Sequence, residues 1–405
     1  MRRQQQSVGP RSGPPSRRLK RVALAAGNYV NVADGVSLTL HRLVEGLERR
    51  GIDVAVVAPG GDHPDLRRAP QMIPVPSVGL PIQRGYRLAL GLNGKTVDAI
   101  DRFDPQVVHV ATPDLAGWMT ARYARRRELP LVGTYHTNFA AYLRYWGRVP
   151  SVFTSLVWEL TRRFYRGFDE VYVPTHSFGE ELVSRGVLRD YAVLERGVDR
   201  QQFHPRYRSS RWRRSHGIAA DELVVLFCAR IVWEKGLRTL VRAMNWLNHR
   251  GPPHRCVIVG DGDQKDWLEK QLPHAIFTGF LTGRDLANAY ASADLFVYPS
   301  TTDTFGNVTL EAMASGLPVV GARAPGTRTL VEDGRSGVLV EPDNSRALAE
   351  AASRLLTNGG RRRHLGAGAL RRARHFRWPE IVGRFADDLE DVLSRAGPLT
   401  PDRAQ

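Results

Sequence analysis

Short runs that are almost wholly apolar recur along this chain, and stretches with helical spacing of apolar residues separate them. The first unit has an apolar run at 21–26, a helix-period segment at 36–50 that ends at a glycine, and a second apolar run at 54–58. One side of its helix is expected to be apolar and to carry Leu38, Leu40, Leu43, Val44 and Leu47. Strands that are apolar nearly throughout are typical of parallel sheets covered on both faces. The unit therefore predicts a β-α-β fold.

The same pattern returns in two series, which predicts an α/β protein with two Rossmann-like, doubly wound domains of similar size. Further strands of the first series are expected at 72–75, 107–110, 131–135, 171–173 and 192–194. Those of the second are expected at 223–229, 256–259, 275–278, 295–298, 318–320 and 337–340. A polar, arginine-rich linker at 195–214 separates the two series.

Four segments follow from this division. We predict a disordered basic arm at 1–20, an N-terminal domain at 21–198 and a C-terminal domain at 199–378. The arm contains basic residues, Gly, Pro and Ser but no acid. In the remaining segment, 379–405, a helix at about 379–394 is expected to pack back on the first domain.

Composition and charge narrow the class of protein. Of 405 residues, 42% are hydrophobic and 24% charged, which excludes wholesale disorder and a disulfide scaffold. No apolar run is long enough to span a bilayer, and no apolar signal-peptide core follows Met1. Cys228 and Cys256 lie in strand-like runs, as buried cysteines of a reducing compartment do. These features predict a cytoplasmic protein.

The formal net charge is +17, which favours an anionic partner such as a phosphate, an anionic lipid surface or nucleic acid. The arginines are scattered and no nucleic-acid reader motif occurs, so no specific nucleic acid is expected. A solubility background remains the alternative to an anionic partner.

Ligands of doubly wound sheets bind beyond the carboxyl ends of the strands. Arg230 and Lys235 follow the first strand of the second domain, and two cations there suit a diphosphate. Solvated side chains at a helix start are the alternative, and a loop lysine is expected to contribute little to stability.

The segment 300–318 follows another strand of that domain. Gly306 permits close backbone approach, and the amides of Phe305, Gly306, Asn307 and Val308 open a helix whose N-terminus suits an anion. Asp303 and Glu311 stand eight positions apart, so both can face one ligand and accept hydrogen bonds from hydroxyls. The alternative is a helix-capping Asp303 and a solvated Glu311.

The first domain offers two loops after strands. Asn31-Val-Ala-Asp34-Gly35 precedes a helix, where Gly35 permits close approach and Asp34 either binds a ligand or caps the helix. His136 follows a strand end and is placed in the cleft between the domains, with a structural histidine as the alternative.

These motifs, in this order and spacing, resemble those of the retaining nucleotide-sugar glycosyltransferases of family 4, which have the GT-B fold. The resemblance covers nearly the whole chain after the arm and rests on these segments: Arg230…Lys235, Asp303…Glu311, Ser315-Gly-Leu-Pro318, Gly260-Asp-Gly262, Thr278-Gly-Phe280 and Ala293-Asp-Leu-Phe-Val-Tyr-Pro299. Family members usually carry Glu where this chain has Asp303, and the shorter side chain retracts the carboxylate by one methylene.

The resemblance implies roles for these residues. Arg230 and Lys235 would bind the donor diphosphate and stabilise the departing nucleotide, Asp303 would touch the donor sugar, and His136 would lie near that sugar. Glu311 would hold the ribose hydroxyls. The remaining donor contacts would come from Asp34, Gly35, Gly260, Phe280, Leu281, Phe305, Gly306, Asn307 and Val308. The backbone of Phe280 and Leu281 would face the base, and Arg196-Gly-Val-Asp199 would form the inter-domain loop.

The implied reaction is transfer of a hexose with retention, favouring mannose from GDP-mannose, to a lipid-linked or glycan acceptor. UDP-sugar-dependent glycolipid synthesis is the first alternative; a phosphorylase, an epimerase and a non-catalytic nucleotide-sugar or nucleic-acid binding protein are the others. No Asp-x-Asp motif occurs at a strand end in the cleft, so neither a metal nor another cofactor is predicted.

The aromatic-rich stretch Thr134–Trp146 resembles the glycolipid-forming branch of the family and is expected to touch sugar or lipid, or to pack a helix. The arm, with Arg122, Arg125, Arg126 and Arg127, is expected to dock on anionic lipid at the inner face of the cell membrane. Capping of the preceding helix is the alternative role of these four arginines.

Overall fold

A computed structural model of the chain describes residues 18–27, 29–30, 35–60, 71–79, 87–136 and 151–396, with side chains from residue 155 onward in the last range. The predicted arm up to residue 17 and most of the aromatic-rich stretch lie outside these residues. No helix in the described ranges is both long and apolar enough to cross a bilayer.

The first sheet has seven parallel strands in the order β3-β2-β1-β6-β7-β8-β9. These are β1 Arg21–Ala25, β2 Asp53–Pro59, β3 Gln71–Val75, β6 Val107–Val110, β7 Leu131–Thr134, β8 Glu170–Val173 and β9 Ala192–Val193. An antiparallel hairpin, β4 Ser77–Gly79 and β5 Arg87–Ala89, follows β3. Within the described ranges of this half, the helices are α1 Gly35–Arg49, α2 Gly94–Phe103, α3 Leu115–Arg126, α4 Ser151–Tyr165 and α5 His176–Ser184.

The second sheet has six parallel strands in the order β12-β11-β10-β13-β14-β15. These are β10 Val224–Cys228, β11 Arg255–Val259, β12 Ile276–Gly279, β13 Leu295–Tyr298, β14 Val319–Ala322 and β15 Gly337–Val340. The helices from the linker onward are α6 Ser210–Ser215, α7 Leu237–Arg250, α8 Lys265–Gln271, α9 Gly283–Ser292, α10 Asn307–Ala314, α11 Pro325–Leu330, α12 Ser345–Thr357, α13 Gly359–Ala373 and α14 Trp378–Arg395. Short 3-10 turns lie at Pro205–Tyr207 and Trp233–Lys235.

Each sheet reverses its strand order once. In the first sheet β1 pairs with β2 on one side and β6 on the other, and in the second β10 pairs with β11 and β13. The crevice outside the carboxyl ends of strands at such a reversal is where doubly wound sheets bind ligands. The predicted fold class, two doubly wound parallel domains, is confirmed.

The last helix, α14, packs on the first domain although it follows the second in the chain. Its residues Ile381, Phe385 and Leu389 are buried in the same apolar cluster as β1 and α1. The Phe385 ring lies 5.0 Å from that of Tyr172 and 5.4 Å from that of His109. The chain therefore crosses twice between the two domains.

Two expectations about burial are wrong. Leu38 is 48% exposed, because it stands two positions before Leu40, about 200° away around the helix. Leu19, assigned to the disordered arm, is buried against α14, and the carbonyl of Lys20 accepts a hydrogen bond from the Asp53 amide at 2.7 Å. Order thus begins within residues 18–20 rather than at Arg21.

The linker predicted to be polar is not wholly a surface segment. Arg196 and Arg213 are 6% and 3% exposed. The two terminal nitrogens of Arg213 donate hydrogen bonds of 2.8 Å to the carbonyls of Ser292 and Ala219, whereas its buried Nε has no hydrogen-bond partner among the described residues.

Candidate functional site

An ion pair joins the segments that follow β10 and β13, the two strands that flank the reversal of the second sheet. The Lys235 ammonium lies 2.6 Å from Oδ1 of Asp303, and the side chains are 11% and 17% exposed. The Tyr298 hydroxyl donates to the other carboxylate oxygen of Asp303. Burial by itself raises the pKa of the Asp303 carboxyl, but the charge of Lys235 and the hydrogen bonds from Lys235, Tyr298 and Ser300 lower it below its ordinary value. Asp303 is thus held as a carboxylate.

The loops that carry this pair are tied to one another. The hydroxyls of Ser300 and Thr302 donate to the Glu234 carbonyl at 3.3 and 3.0 Å. Glu234 immediately precedes Lys235, so these two bonds fix the lysine against the loop that carries Asp303. The expectation that Lys235 is a solvent-exposed cation is therefore wrong, because its ion pair with Asp303 is largely buried. Since removal of one partner of a buried pair is destabilising, we expect Lys235 to affect stability.

Arg230 lies in the same segment as Lys235 and pairs with Glu234, the residue before that lysine. Its guanidinium is 3.4 Å from the Glu234 carboxylate, and its side chain is 44% exposed whereas that of Glu234 is 12% exposed. A cation that reaches solvent beside a buried cation can meet a phosphate that enters from the cleft.

Glu311, on α10, has a separate set of contacts. The Tyr290 hydroxyl donates to its carboxylate at 2.9 Å. Burial raises the pKa of Glu311 to about 7, although the Tyr290 hydrogen bond opposes this rise. Burial, and then the charge of Glu311, raises the pKa of the Cys228 thiol. Cys228 is the last residue of β10 and lies two residues before Arg230.

The structure thus brings Lys235 and Asp303 together directly. Arg230 is linked to them through Glu234, which pairs with Arg230 and precedes Lys235, and Glu311 borders them through Cys228 at the end of β10. Among the described residues no direct contact joins Glu311 to Asp303, so the two carboxylates form neighbouring sites rather than one pair.

The start of α10 completes the second domain's part of the site. Gly306 precedes the helix with φ +95°, a left-handed conformation that favours glycine, and makes no side-chain cap. The first amides of the helix therefore have no capping side chain in this position. Phe305 is buried in the core, so its backbone rather than its ring faces the site.

The nearby glycine Gly260 has a structural reason for its identity. It follows β11 with φ +134°, and a Cβ there would lie 1.9 Å from the Ala229 carbonyl oxygen. This close approach of Gly260 to the Ala229 carbonyl fixes the position of the backbone at Arg230, the next residue. Further along the same edge, the Phe280 side chain is 64% exposed and Leu281 packs partly against the core.

The first domain approaches the site through Gly35 and His136. The Gly35 carbonyl accepts from Asn307 Nδ2 and from Arg196 Nη1, both at 3.4 Å. Gly35 thereby touches the start of α10 across the cleft. Asp34 lies outside the described residues.

His136 follows β7 and is 7% exposed. Its carbonyl accepts from the Thr304 hydroxyl of the second domain at 2.9 Å, and its Nε2 has no hydrogen-bond partner among the described residues. Burial, and then the charge of Arg196, lowers its pKa well below the ordinary value. The imidazole is therefore neutral and can exchange one hydrogen bond with a bound group.

Sequence reasoning missed the partners that orient these groups. Tyr290 and Tyr298 hold Glu311 and Asp303, and Arg196 was noted only as part of an inter-domain loop. The two tyrosines lie in a helix and a strand whose apolar patterns predict core residues. Only their hydroxyls, which need a hydrogen-bond partner when buried, indicate that they orient a polar group.

Two facing doubly wound domains, with cations and a carboxylate at the inner edge of one, define a sugar-transferring enzyme of the GT-B architecture. A family model described as "Glycosyl transferases group 1" matches residues 222–358, and one described as "Glycosyltransferase Family 4" matches residues 33–202. The chain belongs to glycosyltransferase family 4.

Relatives of known name cover nearly the whole chain. A GDP-mannose-dependent alpha-mannosyltransferase of Mycolicibacterium smegmatis is 33% identical over 93% of this chain and 98% of its own. The protein of the same name from Corynebacterium glutamicum is 30% identical over 94% of this chain and 91% of its own. The sulfoquinovosyl transferase SQD2 of Arabidopsis thaliana is 32% identical over 87% of this chain and 70% of its own.

Solved structures agree on the fold. A sucrose-phosphate synthase from Thermosynechococcus elongatus has a TM-score of 0.74 at 21% identity, over 93% of this chain and 100% of its own. The Anabaena HepE protein in complex with UDP has a TM-score of 0.72 at 21% identity, over 92% of this chain and 100% of its own.

Proposed function

We propose that this glycosyltransferase moves a hexose from a nucleotide-sugar donor with retention of anomeric configuration, and that the favoured donor is GDP-mannose. The observation that carries the proposal is the buried Lys235–Asp303 pair with Arg230 beside it, at the strand-order reversal of the second sheet. The two mannosyltransferase relatives support the choice of donor.

In the proposed reaction the cations do most of the work. Arg230 and Lys235 neutralise the diphosphate as the bond from the sugar carbon to the phosphate oxygen breaks and an oxocarbenium-like centre forms. The departing phosphate oxygen takes the acceptor proton on the same face of the sugar, which gives retention. Asp303 keeps Lys235 in place and, with its shorter side chain, borders the sugar.

The remaining groups position the donor. Glu311 accepts hydrogen bonds from the ribose hydroxyls, the first amides of α10 meet a phosphate, and neutral His136 bonds a sugar hydroxyl. Because charge stabilisation comes from side chains and amides, we expect no metal requirement. The test is equal turnover before and after treatment with a chelator.

The donor is tested by a thermal-shift panel of UDP, GDP, ADP and their sugars. A ligand at about a hundred times its Kd stabilises the folded protein by about 2.7 kcal/mol, so GDP-mannose should raise Tm most. A shift with UDP-sugars alone would establish the alternative donor class. No shift with any of them would contradict nucleotide-sugar use altogether.

Retention is tested on the product of a GDP-mannose reaction. Proton and carbon NMR of the new glycosidic bond should show the α-configuration of the donor. A β-linked product would contradict the proposed same-face mechanism.

A UDP-sugar-dependent glycolipid synthase is the second candidate. The sulfoquinovosyl transferase favours this candidate, as do two alpha-monoglucosyldiacylglycerol synthases that are each 26% identical to this chain. We propose that the backbone of Phe280 and Leu281 faces the base, and backbone groups do not choose strongly between bases.

For the acceptor we propose a lipid-linked sugar or a glycan, and for the location the cytoplasmic side of the cell membrane, where the enzyme sits peripherally. The glycolipid-synthesising relatives support this. The arginines expected to bind lipid are partly engaged elsewhere: Arg127 pairs with Asp101 at 2.6 Å, and Arg125 donates to the Arg166 carbonyl at 2.8 Å. Another surface must supply most of the contact.

A further inference from the structure

Five large apolar side chains of the first domain are exposed although each lies on a regular element or directly beside one. Their exposed fractions are 47% for Val78, 46% for Leu88, 49% for Leu90, 51% for Leu115 and 36% for Met119. We call this set the apolar rim.

The members of the apolar rim adjoin one another. Val78 and Leu88 are direct partners across the β4–β5 hairpin, and Leu90 follows Leu88 on the same side of the extended chain. A Cβ built on Gly91 would lie 2.2 Å from Met119 Sδ and 3.6 Å from Leu115 Cγ, so the end of the hairpin rests on the start of α3.

The apolar rim borders the cleft edge of the first sheet. Leu115 begins α3 directly after Asp114, whose carboxylate caps the helix and would lie 2.2 Å from a Cβ on Gly27. Gly27 follows β1 and Asp114 follows β6, the two strands that flank the reversal of strand order. The apolar rim therefore lies beside the first domain's half of the cleft.

The exposed side of α3 changes from apolar to basic along its length. Leu115 and Met119 are followed at helical spacing by Arg122 and Arg126, and all four are exposed. The helix and both strands of the hairpin contain no acidic residue. An apolar surface flanked by cations, without acids on these elements, matches an anionic bilayer, whose acyl region accepts leucine and whose headgroups attract arginine.

We propose that the apolar rim, with Arg122 and Arg126, is the surface by which this enzyme docks on an anionic lipid bilayer and receives its acceptor from it. The proposal deepens the proposed function, because it gives the peripheral location a defined contact. The apolar side chains enter the interface beside the cleft and the arginines bind headgroups, so the acceptor's headgroup meets the site without leaving the membrane.

The first test is sedimentation of the full-length protein with vesicles of phosphatidylglycerol and phosphatidylcholine, and with phosphatidylcholine alone. Leu90→Glu/Leu115→Glu should weaken partition to the anionic vesicles at least tenfold. Arg122→Gln/Arg126→Gln should weaken it ~30-fold, since each basic residue near such a surface adds about 1 kcal/mol. Leu38→Glu/Val183→Glu is the matched control, because those side chains are 48% and 38% exposed outside the apolar rim, and it should bind like the wild type.

A second measurement does not depend on charged substitutions. Cys228 and Cys256 are both buried, so Leu90→Cys gives a single accessible thiol for an environment-sensitive fluorophore. Its emission should shift to the blue on anionic vesicles, whereas a label at Val183→Cys should not respond.

Three results would overturn the proposal: negligible binding of the wild type to anionic vesicles, undiminished binding of Leu90→Glu/Leu115→Glu, or an oligomer that these substitutions dissociate. The last would assign the surface to a second copy of the chain. Donor binding is measured in parallel by the Tm shift with GDP-mannose. If the protein binds vesicles through the apolar rim but no sugar nucleotide, the proposed function fails and the docking surface stands.

Discussion

Lys235 is proposed to act in catalysis, and its buried ion pair with Asp303 means that replacing it also affects stability. A lone carboxylate in this place is costly, and breaking a buried pair by removing one partner typically destabilises by about 3–5 kcal/mol. Tyr298 still donates to Asp303 after loss of the lysine, which keeps the cost near the lower end.

Lys235→Ala is accordingly predicted to lower the free energy of unfolding by about 3 kcal/mol and turnover by about a hundredfold or more. The double variant Lys235→Ala/Asp303→Asn removes the unpaired charge, so it should regain most of the stability and none of the turnover. Chemical denaturation and single-turnover kinetics measure the two effects. A single variant with wild-type turnover would refute the assigned diphosphate role.

Glu311 should make nucleotide binding depend on pH near neutrality. Its pKa of about 7 lies above the ordinary 4.5, so its contribution to folding is complete below 4.5 and lost as pH rises through 7. Ribose hydroxyls need the carboxylate form, so binding has the opposite dependence and strengthens as pH rises. From pH 6 to pH 8 we predict about a tenfold decrease in the Kd of the nucleotide.

Calorimetric titration across this range checks that prediction, with Glu311→Gln as the control. The variant keeps the titration of the nucleotide's own phosphate but has no carboxyl to ionise, so its Kd should change less with pH. Identical profiles for the two proteins would mean that Glu311 does not meet the nucleotide in its ionised form.

At the scale of elements, the sequence predicts the strands of both sheets to within one or two residues. Apolar runs such as 107–110 and 295–298 lie between amphipathic helices and fit only a buried strand, so the local pattern is enough to predict them. The hairpin of β4 and β5 was missed, because its strands have three residues each and expose Val78 and Leu88. Such strands lack the buried pattern that prediction depends on.

The candidate site was predictable where strand ends set it and not where long-range contacts set it. Arg230, Lys235 and Asp303 follow strands β10 and β13, so parallel-sheet topology places them together. The hydrogen bond between Tyr290 and Glu311 joins residues 21 positions apart on different helices. The local sequence does not show that these two helices bring the side chains together. Burial of Arg196 depends in the same way on domain arrangement.

The segment between β11 and α8 offers a test of backbone approach. Gly260→Ala puts a Cβ 1.9 Å from the Ala229 carbonyl at φ +134°, so a clash adds to about 1–3 kcal/mol of backbone strain. We predict a loss of stability above ~3 kcal/mol, and weaker nucleotide binding because Arg230 follows Ala229. Gly334→Ala is the control: its φ is +75° and nothing lies within 4 Å, so it should lose only about 1–2 kcal/mol. Equal melting temperatures for the two variants would show that the contact with Ala229 relaxes freely.

At the scale of the whole molecule, the two domains meet through side chains that donate to carbonyls of the other domain. The Thr304 hydroxyl donates to the His136 carbonyl at 2.9 Å, and the Ser177 hydroxyl donates to the Pro325 carbonyl at 3.2 Å. Thr304 is next to Asp303, so domain closure and the sugar end of the site share one loop. The groups proposed to bind the nucleotide belong to the second domain, whereas His136 belongs to the first. We therefore expect contact between the domains to be required for transfer and not for holding the nucleotide.

Thr304→Val tests this separation, because valine keeps the shape of threonine and removes the donor. One hydrogen bond contributes about 0.5–1.5 kcal/mol, so kcat should fall about twofold to tenfold while the Kd of the free nucleotide changes little. Small-angle scattering should show a larger radius of gyration as the closed population declines. Thr357→Val is the control, since its hydroxyl donates to the Ser353 carbonyl at 3.1 Å within one helix of the second domain, and it should leave kcat and the radius unchanged. A nucleotide Kd that rises in step with the fall in kcat would instead place nucleotide binding across both domains.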